Sequence, residues 1–428
     1  MSLIPFSSTS TRPWAMYWRA PLLPWYIAHW LASFMTALTS NAVFFFAAYE
    51  LHQPAEVQLG MVAAGGLVYT IGAFYGGRLV DRLGQRRLGS YMALICIPVC
   101  AFGAWAVMQR SLAGVFIFLL MINFFSAPLW PAIESALTCV SGKLRLTKRI
   151  TIYNLNWSTT GFIAGGIVGS VALWLSWAGV FIIAAILSLV VWIIIAILSV
   201  PQSQIHAGHV EDSPEELARS QAILASPKSK TLLHMAWLSN MLSYVAANTV
   251  AAVLPTITIA LGIKSYAMAT ALASVWALTR IGGFLLTSFW TGWHYRVHWM
   301  MISFAGLLLG TVTLLLSQSV LVLVVSQAIF GVAVAMLYSG SLYYAMHLSH
   351  GSGANAGIHE GLIGIGTVLG PGVAAISGSP DSVTPKAVAM FVILTIGGGV
   401  MAVMARQAKG LGAAAGGVDI KQDASTSR

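Results

Sequence analysis

Long apolar runs separated by short polar breaks dominate this chain. They lie near 24–48, 57–80, 88–108, 113–139, 152–175 and 178–200, then near 231–258, 265–291, 297–317, 319–347, 356–378 and 385–406. Each approaches or exceeds the roughly 20 residues an α-helix needs to cross a bilayer. The runs are continuous and do not alternate in ten-residue segments, which excludes a transmembrane β-barrel. Between the sixth and seventh runs the pattern changes. Residues 201–230 are polar and include Ser213-Pro214-Glu215-Glu216, a helix-start pattern. The predicted organisation is a tail over 1–20, a six-helix bundle over 21–200, a linker over 201–230, a second six-helix bundle over 231–408 and a disordered Gly/Ala/Ser-rich tail over 409–428. Residues 1–20 hold Pro5, Arg12, Pro13 and Arg19 without a small-residue cleavage site, so they read as a tail and not as a signal peptide.

Composition sharpens this picture. Hydrophobic residues make up 58% of the 428 and charged residues 8%, where a soluble domain carries about 25% charged. Soluble enzyme classes are excluded. The formal charge of +10 raises the question of a nucleic-acid partner, but the bases sit in short loops beside apolar runs, where orientation signals belong. With the N-terminus inside, 18 of the 22 lysines and arginines fall in inside segments. Three (Arg110, Lys264, Lys386) fall outside, and one, Arg280, lies within a span. That bias predicts cytoplasmic N- and C-termini. The reading is an all-α, multi-pass protein of the cell membrane, a bacterial inner membrane by preference. Its surroundings are the lipid bilayer, with no nucleic acid, and it is expected to be a monomer. Cys96, Cys100 and Cys139 lie in or at the end of apolar segments and offer neither a disulfide framework nor a zinc spacing. No cofactor and no metal set is assigned.

Residues 77–87 read Gly-Arg-Leu-Val-Asp-Arg-Leu-Gly-Gln-Arg-Arg and fall in the loop between spans two and three. With Gly77, Asp81, Arg82, Gly84, Arg86 and Arg87, this resembles the signature loop of the major facilitator superfamily at every fixed position. The span count and the central linker agree with that family. The resemblance covers about residues 20–408 and implies two six-helix bundles that rock about a central site. It also implies that the loop acts as a latch on the outward-open state. Gly77 permits close approach of a neighbouring helix, Asp81 can meet a helix N-terminus or an arginine, and Gly84 allows the tight turn. The equivalent loop of the second half, Trp290 to Arg296, lacks an acid, so a latch there is weak or absent. Span eleven carries Gly366 and Gly370-Pro371, as in the superfamily. Span five carries Gly161, Gly165 and Gly169 without the proline of the family's antiporter signature. Both glycine series are expected to mark close helix packing.

Polar groups inside a bilayer are costly, so each is a site candidate. Only Glu134, Glu360 and Arg280 carry charge within spans once the latch aspartate is set aside. Arg280 keeps its proton and needs a partner, either a buried acid such as Glu134 or Glu360, or an anionic substrate. Glu134 shares a face with Asn123, Ala127 and Trp130. It reads either as a proton or cation carrier or as a helix-end acid near Lys143 and Arg145. Glu360 beside His359 reads as a proton relay or as an acid suited to a helix start. His347, His350, His359 and Glu360 can also be read as metal ligands, with His347 and His350 sharing a face, but the pattern is weak. Tyr244 and Asn248 share a face of span seven with Trp237 and Met241. Ser33, Thr36 and Ser40 share a face of span one, with Asn41 adjacent, and Tyr338 lies on span ten. Asn154 and Asn156 must point in different directions. Spans three, six, nine and twelve hold no internal charge and few amides.

These observations predict a secondary active transporter that moves a small polar solute, anionic or zwitterionic, by alternating access. Arg280, Trp130, Asn123, Tyr244, Asn248, Asn41 and Tyr338 are the candidate substrate contacts. Glu134, Glu360 and His359 are the candidate proton carriers, with protons as coupling partners. Two alternatives stand beside it: a drug or metabolite efflux antiporter, and a non-transporting receptor or assembly factor on the same scaffold. No nucleophile–base pair, zinc-protease helix or phosphate loop supports an enzyme.

Overall fold

The computed structural model describes residues 22–139, 145–199, 221–223, 225–263, 268, 272, 274–378 and 382–408. Most of the predicted linker and both predicted tails lie outside these residues. The described chain is helical, and no strand occurs within it. The helices are α1 (Leu23–Tyr49), α2 (Ala55–Leu83), α3 (Gln85–Met108), α4 (Leu112–Ser126), α5 (Leu129–Cys139), α6 (Leu146–Ile193), α7 (Pro227–Ala260), α8 (Val275–Phe289), α9 (Val297–Leu315), α10 (Val320–Leu348), α11 (Gly353–Ile376) and α12 (Thr384–Ala408).

Twelve crossings follow from these elements. Ten stretches are long and apolar enough to span a bilayer. One of them, Leu146–Leu198, has 53 residues, enough for two crossings. It breaks at Ser176, whose φ of 64° and ψ of 167° leave the helical region. The short apolar helix α8 supplies the remaining crossing. Span four is divided between α4 and α5 because Pro128 has no N–H to continue the ladder. The chain bridges the break through weaker contacts, Trp130 N to Ala127 O and Ala132 N to Pro128 O, each 3.4 Å. Gly76 of α2 lies against Pro128, where an added Cβ would come within 2.6 Å of the ring. The broken helix is therefore gripped at its kink.

The outward faces are apolar. Leu173, Trp174, Phe289, Leu321 and Ile376 are all largely exposed, which suits a lipid surface and no aqueous one. Two interfaces join the halves. Helices α2 and α5 pack along α11, and α6 packs against α8 and α10. Gly77 lies so close to Gly353 and Gly357 that any side chain there would overlap the Gly353 carbonyl. Gly366 and Gly370 approach α7 equally closely, with added Cβ atoms 2.5 Å from those of Tyr244 and Asn248.

The glycines of span five behave differently from expectation. A Cβ added at Gly161 or Gly169 would meet nothing within 4 Å, and one at Gly165 only the Asn41 amide oxygen at 3.8 Å. Spacing of four places residues on one face, but what stands opposite decides whether the face packs. Here the face is left open, and Gly161 borders a cavity.

Candidate functional site

A cavity of about 330 Å³ lies between the halves. Its wall draws on both of them. Helix α1 contributes His29, Ser33, Thr36 and Ser40, α4 contributes Asn123 and Ser126, and α5 contributes Trp130. Helix α6 adds Tyr153, Trp157 and Gly161. Tyr69 comes from α2, Tyr244 from α7, Tyr338 from α10, and Glu360 from α11. No lining residue comes from α3, α9, α12 or the sixth crossing. The polar face expected on span one, Ser33-Thr36-Ser40, is on this wall, together with Asn123, Trp130, Tyr244, Tyr338 and Glu360. Asn41 and Asn248 are not among the lining residues. Each turns its amide back onto its own helix, Asn41 to Ala37 O at 2.7 Å and Asn248 to Tyr244 O at 2.8 Å. Asn154 and Asn156 do diverge, toward Ser339 Oγ at 3.4 Å and Tyr26 O at 3.1 Å.

Aromatic rings set the shape of the cavity. Tyr338 is the hub. Its ring centroid stands 5.4 Å from that of Trp157, 5.8 Å from Phe284, 6.2 Å from Tyr244 and 5.0 Å from His359. On the opposite wall His29 stacks on Tyr153 at 4.0 Å, nearly parallel, and meets the edge of Trp130 at 5.8 Å. His29 is fully buried with no partner on either ring nitrogen. The sequence reading passed over His29, Tyr69, Tyr153 and Trp157. For His29 the signal existed, since a histidine inside the apolar run WYIAHWLASF is as anomalous as an acid there.

Arg280 takes neither of the partners expected of a static pair. It forms no ion pair with an acid of the described residues, where Arg110 and Glu50 pair at 3.3 Å. Its guanidinium lies over two indoles. Cζ lies 4.5 Å from the Trp157 ring of one half and 4.7 Å from the Trp276 ring of the other. An indole face attracts a cation through its quadrupole, worth about 2 kcal/mol where water is excluded. The charge is thereby steadied without being neutralised. Arg280 is half-buried and is not among the residues lining the cavity.

The acids gather elsewhere. Glu134 of α5 and the His359–Glu360 pair of α11 offer ligand atoms that all lie within 4.8 Å of one another. Glu134 is 1% exposed, His359 0% and Glu360 4%. The Tyr69 hydroxyl donates to Glu360 Oε2, and His359 Nδ1 lies 2.8 Å from Ser341 Oγ. Both carboxylate oxygens of Glu134 and Nε2 of His359 have no partner. His347 and His350 are apart from this group. His347 bonds the Tyr295 hydroxyl, and His350 sits exposed in the turn after α10.

At one end of the molecule the loop between α2 and α3 ties the two halves together. Gly84 makes the whole connection, with φ 82°, a value that favours glycine. Asp81 then caps α11 across the interface. Its Oδ1 accepts from Gly353 N at 2.7 Å, and its Oδ2 from Ala354 N at 3.0 Å and from Ser352 Oγ at 3.1 Å. These are the free N–H groups of a helix start, met by a carboxylate at the positive end of the dipole. Ser135 Oγ adds a 2.5 Å bond to Gly351 O. Arg86 donates to Ala196 O of the sixth crossing, while Arg82 and Arg87 are exposed. The corresponding second-half loop holds no acid. It is built from aromatic contacts, such as Trp290 on Trp299 at 4.5 Å, and reaches the other half through His294 Nε2, 3.2 Å from Thr147 Oγ1.

Comparison with known proteins accords with this architecture. No curated protein sequence matches the chain. The crystal structure of the human organic anion transporter MFSD10 (TETRAN) superimposes with a TM-score of 0.65 at 13% identity, covering 91% of this chain and 98% of that one. At that identity the likeness shows the fold alone. The family model described as Major Facilitator Superfamily matches residues 25–371, and the chain therefore belongs to the major facilitator superfamily of membrane transporters.

Proposed function

We propose that this transporter moves a small anionic or zwitterionic solute through the central cavity by alternating access, with protons carried on Glu134 and Glu360. The observation that carries the anionic reading is Arg280. A guanidinium held over two indoles keeps its full charge and its bidentate geometry, and no acid of the described residues competes for it. The indoles belong to different halves, so an anion drawn to Arg280 is felt by both. MFSD10 is an organic anion transporter, which agrees in direction but adds no weight at its low identity. The antiporter and receptor readings have no comparable observation in their favour.

The proton reading rests on Glu134 and Glu360. Two like charges this close in a dry interior repel, and a shared proton relieves them. Glu360 also borders the cavity, so protons and solute have a common route. The basic loops orient the tied end toward the cytoplasm. In that orientation Asp81 on the start of α11 is the latch of the outward-facing state.

The test is ligand-induced stabilisation of the purified protein. A ligand that binds only the folded state raises its stability by mass action. Small mono- and dicarboxylates and amino acids are expected to raise the melting temperature, with affinity falling about 100-fold in Arg280→Lys, or about 2.7 kcal/mol. Equal stabilisation of parent and variant would sink the anionic reading. Stabilisation by neutral sugars alone would do the same.

A further inference from the structure

We propose that Glu134, His359 and Glu360 form a binding site for one divalent transition-metal ion of the zinc class, held between the two halves. The inference rests on the same carboxyl pair to which proton carriage is assigned, and it deepens that reading.

Three features of the cluster ask for a ligand. The first is the orphaned polarity. Both oxygens of Glu134 and Nε2 of His359 are buried without a partner, although an unsatisfied buried polar atom costs on the order of 1–3 kcal/mol. A lone hydrogen bond between the carboxyl groups would still leave Nε2 empty. An ion at the centre satisfies all three side chains at once.

The second is the charge. Two carboxylates and a neutral imidazole carry two negative charges when ionised, and no described basic residue pairs with them. A divalent ion balances that charge. The bond accounting is simple: the ion gains two Glu oxygens and His359 Nε2, and any proton resident on the carboxyl pair leaves to water. Metal and proton therefore exclude one another, as in metal sites generally.

The third is the donor set and its support. A nitrogen beside two oxygens suits zinc-class ions better than sodium, magnesium or calcium, which prefer oxygen alone. Ligand atoms in a tetrahedral zinc site stand about 3.4 Å apart, from bonds of about 2.1 Å. The atoms here, all within 4.8 Å, need only a modest inward rotation. A metal-binding histidine usually donates its other N–H to a fixed acceptor. Ser341 Oγ stands 2.8 Å from Nδ1 in that role, which leaves the partnerless Nε2 to supply the lone pair. The Tyr69 hydroxyl orients Glu360 in the same way. Glu360 also opens onto the cavity, which supplies the route of entry.

The experiment uses the full-length protein, purified in detergent and stripped with chelator. Isothermal titration calorimetry with zinc is expected to show one tight site per chain, with magnesium and sodium silent. Binding should weaken at least 100-fold in Glu134→Gln and in His359→Gln, and about tenfold in Ser341→Ala. Cobalt in place of zinc should give visible ligand-field bands that vanish in the same variants. His347→Gln and His350→Gln, remote from the cluster, should bind as the parent does. Size-exclusion elution and helical circular dichroism establish that each variant is folded, and Ser341→Ala serves if the ligand variants are not. A parent that binds no zinc overturns the proposal. So does zinc binding that survives Glu134→Gln and His359→Gln, or that disappears only with His347 or His350. Anion stabilisation, measured separately on the metal-free protein, tests the transport reading on its own. Loss of one leaves the other standing.

Discussion

Two charged centres sit at the interface of the halves, and they are stabilised by opposite means. Arg280 lies over two aromatic faces and has no counter-charge among the described acids. Glu134 and Glu360 have each other, a histidine, and open coordination. A guanidinium is planar, weakly hydrated and always charged, so indole faces can hold it as it is. A carboxylate has no such refuge, because an aromatic face repels it and only a proton, a cation or hydrogen-bond donors will do. The cation centre is steadied by ring faces although its Nε still lacks a partner, whereas the acid centre keeps open polar atoms and its own repulsion.

The comparison can be broken, beginning with the largest effect. Replacing both acids (Glu134→Gln with Glu360→Gln) should abolish uptake driven by a pH gradient in proteoliposomes, by more than 100-fold. Exchange of solute for solute at equal pH should persist. If gradient-driven uptake survives, the acids are not the coupling centre. Trp157→Ala removes one of the two faces holding Arg280 and should cost anion affinity about tenfold, whereas Trp157→Phe should cost little. A loss of equal size in both variants would mean that indole bulk, not the ring face, matters.

The loop contact offers a third handle. Cys139 is half-buried, with Sγ 3.7 Å from His350 O at the tied end, while Cys96 and Cys100 are fully buried. Gly77→Val or Asp81→Asn should speed maleimide labelling of Cys139 about tenfold and leave the other two unlabelled. An unchanged rate would mean that the Asp81 cap does not hold this end shut. The smallest effect is expected on span five. Gly165→Ala has room, and by helix propensity should be neutral or stabilising by up to about 1 kcal/mol. Gly370→Ala should destabilise, because its Cβ meets that of Asn248 at 2.5 Å. Thermal unfolding of the two variants side by side decides this.

The crossings were legible because bilayer thickness imposes a length on apolar runs. The break at Ser176 falls in the gap left between runs five and six. The loop from Gly77 to Arg87 was legible because its chemistry is local: a glycine for the approach, an acid for a helix start, a glycine for the turn. Asp81 indeed meets a helix N-terminus and not an arginine. The meeting of Glu134 with Glu360 was not legible, since each was visible only as a separate anomaly on its own half. Nor was the setting of Arg280, because Trp157 looks like an ordinary packing residue until α8 is brought against α6. The glycine stripe of span five misled for the same reason: periodicity specifies a face and is silent about its neighbour.

Helix α11 begins at the Asp81 cap and reaches Glu360 seven residues later, about 10 Å along its axis at 1.5 Å per residue. An ion-coupled carrier must not leak: an empty one should not let its coupling ion run downhill unaccompanied. Under the proton-carrier proposal, a vacant and ionised acid pair would repel and push α11 away from α5, close to the bonds between Asp81 and the start of α11. When the pair is filled, the thrust disappears. On that proposal one rod would report occupancy to the barrier, and the economy of an ion gradient would depend on how stiffly those seven residues transmit it.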